Sequence, residues 1–243
     1  MRFDDQGHLL VSPAEVQEGA ISHPENLINR VLTPGTPLAI PTHEQHCRLL
    51  DYLAGELGVH PRIFFFKGST KIGFSIKPEQ EKVWMEFGPA SDLDLAIVDH
   101  NFFQLIDGQV RQWERNPGNR KKMFRSPKLF DSYLDRVNQK GRFECHRFFD
   151  LPPIPLLGEL NRSLDEAPVA DCCGIRRSIR AFIFRDWWGV YQRYDHDLHE
   201  LRRGLQDETD PFPRGGVKAK PYAEVPRDPR TRSRGRGPRP RDF

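Results

Sequence analysis

The chain has 243 residues, of which 37% are apolar and 29% charged, and its formal net charge is +3. This length allows one sizeable hydrophobic core, and the composition is that of an ordinary globular protein. No apolar run approaches the ~20 residues that a membrane-spanning helix needs, and the polar start of the chain has no apolar signal region. We therefore expect a cytoplasmic protein with no membrane contact. The four cysteines form no C-x-x-C pair, which argues against a disulfide framework or a zinc site.

The first part of the chain has weak periodicity. Residues 1–41 are rich in turn formers and are predicted to be an N-terminal extension, with one short helix from Asn26 to Val31. A longer helix is predicted to follow Thr42, because Thr42 and Gln45 have the spacing of a capping box. Gly58 is expected to close the C-terminus of that helix.

The middle of the chain alternates apolar runs with polar segments. Residues 62–67 and 91–98 are short apolar runs that predict buried strands, and residues 77–89 between them are predicted to be an inserted hairpin or loop. Residues 127–139 have one apolar helical face. Residues 142–149 predict a third strand, which ends at the prolines that follow it.

The C-terminal part of the body, residues 156–206, is predicted to be a helical segment beside a core at residues 42–155. Apolar and aromatic side chains recur at helical spacing from Trp187 to Leu205. Residues 179–184 are compatible with either a helix or a strand, because periodicity does not decide so short a run.

The last segment of the chain is strongly basic. Residues 211–243 contain ten Lys or Arg and three Asp or Glu, and one third of them are Pro or Gly, whereas residues 1–210 have a net charge of −4. We expect residues 207–243 to be a disordered basic tail. Such a tail can contact nucleic acid through its phosphates, and the alternative is a solubilising extension without a function of its own.

Two aspartates two residues apart, Asp92 and Asp94, are the main functional signal. Residues at this spacing share one face of a strand, and two carboxylates beside an apolar strand cost free energy unless a cation compensates them. Mg²⁺ prefers oxygen ligands and commonly combines one or two carboxylates with substrate phosphates. The pattern therefore predicts a Mg²⁺ site at Asp92 and Asp94. The alternative is a strand end with two solvated acids.

A Gly-Ser turn, Gly68-Ser69, follows the first predicted strand. Glycine lets the backbone approach a phosphate, free N–H groups at a helix N-terminus attract anions, and Ser69 adds a hydroxyl. Lys67 and Lys71 add positive charge nearby. An ordinary turn is the alternative. The residues predicted to bind a nucleotide are Gly68, Ser69, Lys71 and Ser91.

These residues together resemble the nucleotidyltransferase superfamily related to DNA polymerase β, in its small stand-alone bacterial form. The family motif is a Gly-Ser turn, then Asp-x-Asp on the next strand, and often a third acid on a later strand. Residues 66–73 and 91–95 match the first two parts, and the resemblance covers residues 45–150. It implies an α+β fold with a mixed sheet flanked by helices. It also implies Mg²⁺-dependent transfer of a nucleoside monophosphate from an NTP, with ATP the first choice, to an unidentified acceptor.

Two features depart from that family pattern. The spacer between Ser69 and Asp92 has 22 residues, more than the short spacer usual in the family. The third carboxylate is ambiguous, because Glu144 and Asp150 both lie between apolar neighbours. The two residues would be ~20 Å apart along a strand, so only one of them can reach the site. Glu144 is preferred as the third catalytic acid and metal ligand, because Asp150 adjoins the prolines.

The acceptor is left open among a protein hydroxyl, an RNA end, a small molecule and a second nucleotide. A second hypothesis is a non-catalytic protein of the same fold, acting as an antitoxin or as a nucleic-acid-binding module. His196 and His199 are interpreted as a solvated helix face rather than a metal site. Arg176, Arg177 and Arg180 are interpreted as an exposed basic helix face, with phosphate or acceptor contacts as the alternative.

Overall fold

The computed structural model describes residues 2–33, 35–77, 83–116, 118, 137–144, 154–174 and 176–209. Within these residues the chain forms a mixed α/β structure around a four-stranded mixed sheet. Three predictions lie outside the described residues, and they are most of the helix at 127–139, Asp150 and the basic tail at 211–243.

The strands alternate with helices along the chain. The strands are β1 (Arg2–Phe3), β2 (Leu9–Leu10), β3 (Phe64–Phe66), β4 (Leu93–Val98), β5 (Arg142–Glu144) and β6 (Ile179–Phe184). The helices are α1 (Pro13–Ser22), α2 (Pro24–Leu27), α3 (His43–Leu57), α4 (Ser69–Ile72), α5 (His100–Glu114), α6 (Pro155–Glu166), α7 (Val169–Cys173) and α8 (Trp187–Thr209). A π-helical segment (Ile28–Leu32) follows α2, and a 3-10 segment (Pro61–Ile63) precedes β3.

The main sheet has the strand order β3-β4-β6-β5. β4 pairs antiparallel with β3 and parallel with β6, while β5 pairs antiparallel with β6. Residues 179–184, which periodicity left open between helix and strand, therefore form a strand inside the sheet. Because β6 lies between β4 and β5, the sheet joins the two predicted segments 42–155 and 156–206 in one structure.

Each face of the sheet packs against its own set of helices. One face contributes Phe66, Leu95 and Ile183 to a core that also contains buried side chains of α3, α5 and α6. The opposite face contributes Phe65 and Ala96 to a second core that is completed by α1, α2 and α8. The described N-terminal residues thus contribute to the packed structure, and α1 and α2 meet α8 on one side of the sheet.

Local sequence signals account for several helix boundaries. The Thr42 hydroxyl accepts a hydrogen bond from the Gln45 N–H at 3.1 Å, and Gly58 ends α3 with φ +63°, as predicted. Helix α5 is absent from the predicted elements, although Asp99 caps it by accepting a hydrogen bond from the Phe102 N–H at 2.7 Å. In the described parts of the chain, no helix combines the length and apolar character that a membrane crossing needs.

His46 on α3 is a buried titratable group. Its ring lies against Phe66, with the ring centroids 5.9 Å apart, and neither ring nitrogen has a hydrogen-bond partner among the described residues. Burial, and to a lesser extent the nearby charge of Lys71, lower the pKa of His46 from 6.5 to about 4. Between these two pH values the unfolded chain binds more protons than the folded protein, so stability falls as the pH falls through that window.

We expect His46→Leu to weaken this pH dependence, because the substitution removes a group that must be buried without its proton. The measurement is the melting temperature of wild type and variant at several values between neutral pH and about pH 4. The variant should lose fewer degrees than wild type over this range. His100→Leu, the same change at an exposed histidine, should follow wild type. Parallel curves for wild type and His46→Leu would contradict the assignment.

Candidate functional site

A cavity of about 360 Å³ opens where β4 begins, between the turn after β3, the strand β6 and the helix α8. The structure brings most of the predicted site residues to its wall. The predicted residues that line it are Gly68, Ser69, Ser91, Asp92 and Asp94.

The Gly68 turn requires a glycine. Gly68 has φ +60° and ψ −142°, a backbone conformation that is essentially restricted to glycine. A Cβ at this position would lie 3.3 Å from the Asp94 Oδ2 atom. The absent side chain therefore lets the turn lie directly against the Asp94 carboxylate, and Ser69 starts the short helix α4 at this point.

The backbone of Asp94 is fixed by the same turn. The Lys67 N–H donates to the Asp94 carbonyl at 2.9 Å, and the Asp94 N–H donates to the Thr70 hydroxyl at 2.8 Å. The Thr70 hydroxyl in turn donates to the Asp92 carbonyl at 3.4 Å. Thr70 is fully buried and was not among the predicted site residues. Its signal in the sequence is its place directly after Gly-Ser, where its side chain reaches the start of β4.

Asp92 is paired with two side chains from the β6 region. Its Oδ2 atom forms an ion pair with the Arg180 guanidinium, and its Oδ1 atom accepts a hydrogen bond from the Ser178 hydroxyl. Arg180 lies directly opposite Asp94 in the parallel register of β4 and β6. The interpretation of Arg180 as part of an exposed helix face is therefore wrong, because the residue is on a strand and contacts the aspartate pair.

Glu144, the predicted third catalytic acid, lies on the strand beyond β6 from the aspartate pair. Glu144 is on β5 and pairs in register with Phe182 of β6. Since β6 separates β5 from β4, the Glu144 backbone lies two strand spacings, or ~9.5 Å, from β4. Within the described residues, no group of three His, Cys, Asp or Glu side chains is arranged to hold a metal ion. The carboxylates of Asp92 and Asp94 are oxygen donors of the type that Mg²⁺ prefers, and substrate oxygens would have to complete its coordination.

Lys67 is a buried cation on the cavity wall. Its side chain is only 7% exposed, and its ammonium lies 3.9 Å from the centroid of the Phe182 ring. Burial lowers the pKa of Lys67 to about 8, while the charges of Asp94 and Asp197 act in the opposite direction. Among the described residues, the ammonium has no hydrogen-bond acceptor. The ammonium faces the cavity, so an anion bound there can accept a hydrogen bond from it.

Lys71 does not reach the cavity, which corrects its prediction as a nucleotide-binding residue. Its ammonium donates to the backbone carbonyls of Gly35 and, at 3.3 Å, Thr36. The side chain is 2% exposed, and burial lowers the pKa of Lys71 to about 8. Lys71 therefore holds the N-terminal segment onto α4, and Lys67 is the lysine that faces the cavity.

Helix α8 adds site residues that the sequence analysis assigned only to packing or did not single out. Arg193 and Asp197 form an ion pair of 2.8 Å, and both line the cavity together with Tyr194. The Tyr194 hydroxyl donates to the Leu32 carbonyl at 3.0 Å, and burial raises the pKa of Tyr194 well above its usual range. The i,i+4 spacing of Arg193 and Asp197 is a readable signal for a pair on one helix face.

The segment between the Gly68 turn and Asp92 forms another wall of the cavity. Residues 73–77 and 83–87 run antiparallel, and the Ser75 N–H donates to the Met85 carbonyl at 2.8 Å. Ser75, Lys77 and Met85 line the cavity. The predicted insertion at 77–89 thus contributes to a pair of segments that shape the pocket, and the Ser91 hydroxyl at its end accepts a hydrogen bond from the Gly88 N–H at 3.1 Å.

No protein-family model, curated protein or solved structure matches this chain. A fold alone does not define a function, so any functional conclusion depends on the chemistry of the cavity. That chemistry combines the aspartate pair Asp92 and Asp94, the Gly68 turn and the Lys67 ammonium within one pocket.

We expect Gly68→Ala to destabilise the protein and to impair any ligand binding in the cavity. The added Cβ enters a backbone region that side chains rarely adopt and approaches the Asp94 carboxylate, at a cost on the order of 1–3 kcal/mol. Chemical denaturation measures the change. Gly55→Ala is the matched control, because Gly55 lies in the last turn of α3 and a Cβ there meets nothing within 4 Å. It should be neutral or stabilising by up to about 1 kcal/mol. Equal stabilities of the two variants would contradict the role given to Gly68.

Proposed function

We propose that this protein is a Mg²⁺-dependent nucleotidyltransferase that transfers a nucleoside monophosphate from an NTP, with ATP the first choice, to an acceptor hydroxyl. The observation that carries the proposal is the ammonium of Lys67, which ends a buried side chain and faces the cavity. The Gly68-Ser69 turn and the carboxylates of Asp92 and Asp94 line the same cavity. A triphosphate with its metal ion would satisfy all three features.

The charges of the cavity support an anionic ligand that carries its own cation. Four cations and four carboxylates line the wall, so neither charge is in excess. The carboxylates of Asp92 and Asp94 suit a hard metal ion, whereas the ammonium and guanidinium groups suit phosphate oxygens. The four cations are Lys67, Lys77, Arg180 and Arg193, and the four acids are Glu86, Asp92, Asp94 and Asp197.

In the proposed reaction the acceptor hydroxyl attacks the α-phosphorus of the NTP. A new O–P bond forms, the bond from the α-phosphorus to the bridging oxygen breaks, the hydroxyl loses its proton and pyrophosphate leaves. Mg²⁺, when bound, would neutralise phosphate charge and stabilise the attacking and leaving oxygens. Asp92 and Asp94 would hold the ion, the Gly68-Ser69 turn would orient the phosphates, and Lys67 would donate to a phosphate oxygen. Catalysis would come mainly from positioning and charge neutralisation.

Arg180 changes its partner in this scheme. Its guanidinium is paired with Asp92, so a metal ion that binds Asp92 must displace it. The displaced guanidinium is still beside the cavity, where it can pair with a phosphate. Arg180 would therefore act as a substitute cation for the aspartate when the nucleotide is absent and as a phosphate ligand when it is bound.

One observation favours the second candidate, a non-catalytic nucleotidyltransferase-like protein acting as an antitoxin or nucleic-acid-binding module. The strand next to β4 carries Arg180 opposite Asp94, so a cation rather than a third acid faces the aspartate pair from that strand. In this alternative the cavity binds a nucleotide without turnover, and the basic residues 211–243 supply contacts to nucleic acid. Transfer activity distinguishes the two candidates.

We expect wild-type protein with Mg²⁺ to transfer label from at least one α-labelled NTP, and Asp94→Asn to abolish this transfer. The substitution removes a metal ligand, while Asp94 forms no side-chain ion pair among the described residues, so the melting temperature should be retained. Asp51→Asn, at an exposed position of α3, is the matched control and should keep full activity. Label transfer by Asp94→Asn would contradict the assignment of enzyme activity to this cavity. Nucleotide binding without transfer by the wild-type protein would favour the non-catalytic candidate.

The two buried lysines provide a second test. Lys67→Met should weaken Mg²⁺–ATP binding by about tenfold or more, because a hydrogen bond to a charged group contributes about 1.5–3 kcal/mol. Its melting temperature should hold or rise, since a buried charge with no acceptor among the described residues is removed. Lys71→Met should show the reverse, with lower stability and unchanged affinity, because Lys71 holds the carbonyls of Gly35 and Thr36. Calorimetric titration and thermal melting measure both effects. An unchanged affinity in Lys67→Met would remove the main support for a phosphate site.

A further inference from the structure

A cleft of about 370 Å³ lies between the start of α8 and the π-helical segment (Ile28–Leu32). Among the described residues, no charged side chain lines it. Trp187 and Trp188 are on its wall, and they are 54% and 61% exposed. The helical spacing from Trp187 to Leu205 predicts packing, but these two rings at the start of the helix are largely in solvent. An exposed aromatic surface of this kind indicates a place where a partner binds.

Other aromatic rings hold the two tryptophans in place. Trp187 stacks on Phe65, a buried residue of β3, with the ring centroids 5.1 Å apart and the ring planes 23° apart. Trp188 stacks on Tyr191, with the centroids 5.7 Å apart and the planes within 4° of parallel. Each tryptophan is thus covered by one neighbouring ring, while more than half of its surface is in solvent. Because the rings are already ordered, a planar ligand that stacks on them pays little for side-chain ordering.

The cleft also offers hydrogen-bonding groups. Asn29 is exposed on its wall, and a side-chain amide has both donors and an acceptor, as the edge of a nucleobase does. The Thr33 hydroxyl donates to the Ile28 carbonyl at 3.1 Å, and its oxygen can still accept. An uncharged aromatic cleft with a few polar groups suits a flat heteroaromatic ring. Aromatic side chains that stack successive bases are the usual means of binding single strands.

The charge of the chain favours a polyanion as the source of that ring. Helix α8 has 23 residues, so it is ~35 Å long, and it leads towards residues 211–243 with their ten Lys or Arg. A fully extended chain of 33 residues spans up to ~110 Å, so these cations are within reach of the cleft at the other end of the helix. Bases of a strand would occupy the cleft while its phosphates meet these cations. An apolar protein segment would leave the cations unused.

We propose that this aromatic cleft binds an unstacked base of single-stranded nucleic acid. Trp187 and Trp188 are the stacking surfaces, and Asn29 bonds the edge of the base. Binding is tolerant of sequence, because every base has a π face. Val190 lines both the cleft and the candidate cavity, so a strand bound here lies beside the cavity. The inference does not depend on the transfer reaction, since it applies equally to the non-catalytic candidate.

The test measures the affinity of full-length variants for a short fluorescein-labelled oligodeoxythymidylate and for an abasic strand of the same length, which has the phosphates without the bases. Trp187→Ala combined with Trp188→Ala should weaken oligodeoxythymidylate binding by about fivefold or more, the lower end of what base stacking contributes. Affinity for the abasic strand and the slope of log K against log salt should match wild type, because no charge is removed. Trp188→Phe, which keeps an aromatic ring, should retain most of the binding.

Asn29→Ala is a second cleft variant that leaves the aromatic packing intact, and it should weaken only the binding of the base-containing strand. Leu105→Ala is the matched control, because Leu105 is 60% exposed on α5, which packs on the opposite face of the sheet. It should bind both strands like wild type. Three results would each overturn the proposal. They are unchanged oligodeoxythymidylate binding in the double variant, equal losses for the two strands, and a wild-type protein that binds oligodeoxythymidylate no more tightly than the abasic strand.

Discussion

The candidate site depends on how the backbone of Asp94 is held. Its carbonyl accepts from the Lys67 N–H and its N–H donates to the Thr70 hydroxyl, so both polar groups are satisfied by the turn that joins β3 to α4. An unpaired backbone group at a buried strand start would cost about 1–3 kcal/mol. These two hydrogen bonds therefore fix the turn and the aspartate relative to each other. Gly68, which has a positive φ, puts no side chain into the space between them. This arrangement determines the shape of the cavity.

Lys67 and Lys71 lie four residues apart at the same turn but have different roles. Lys71 donates to backbone carbonyls and ties the N-terminal segment to the core, whereas Lys67 is equally buried but faces the cavity. Burial lowers the pKa of both groups to about 8, so this shift alone does not distinguish their roles. What distinguishes them is their partners. A buried polar group that has its acceptors stabilises the fold, and one that lacks them indicates a place for a ligand.

Short-range signals predicted much of this structure. The Thr42 cap, the Gly58 helix end, the apolar runs of β3 and β4 and the helical face of α8 are local patterns, and the Gly68 turn and the Asp92–Asp94 pair follow from their own neighbours in sequence. The central position of β6 has no such signal, because a strand chooses its neighbours through long-range pairing and packing. Arg180 was consequently placed on a helix, and its pairing with Asp92 was missed. The separation of Glu144 from β4 has no local signal either, since nothing in the sequence shows that β6 lies between β5 and β4.

The position of β6 in the chain also determines how late in folding the cavity can form. Asp94 and Arg180 are opposite each other in the sheet but 86 residues apart in the chain, and α8, which closes the cavity, comes later still. Contacts with such separation require a large loop to close before they contribute any stability, which slows folding. During translation the aspartates leave the ribosome long before their partner strand is made, at a synthesis rate of ~5–20 residues per second. The nascent chain therefore contains β4 without its partner β6 for several seconds, and the pocket can be completed only after α8 has been made.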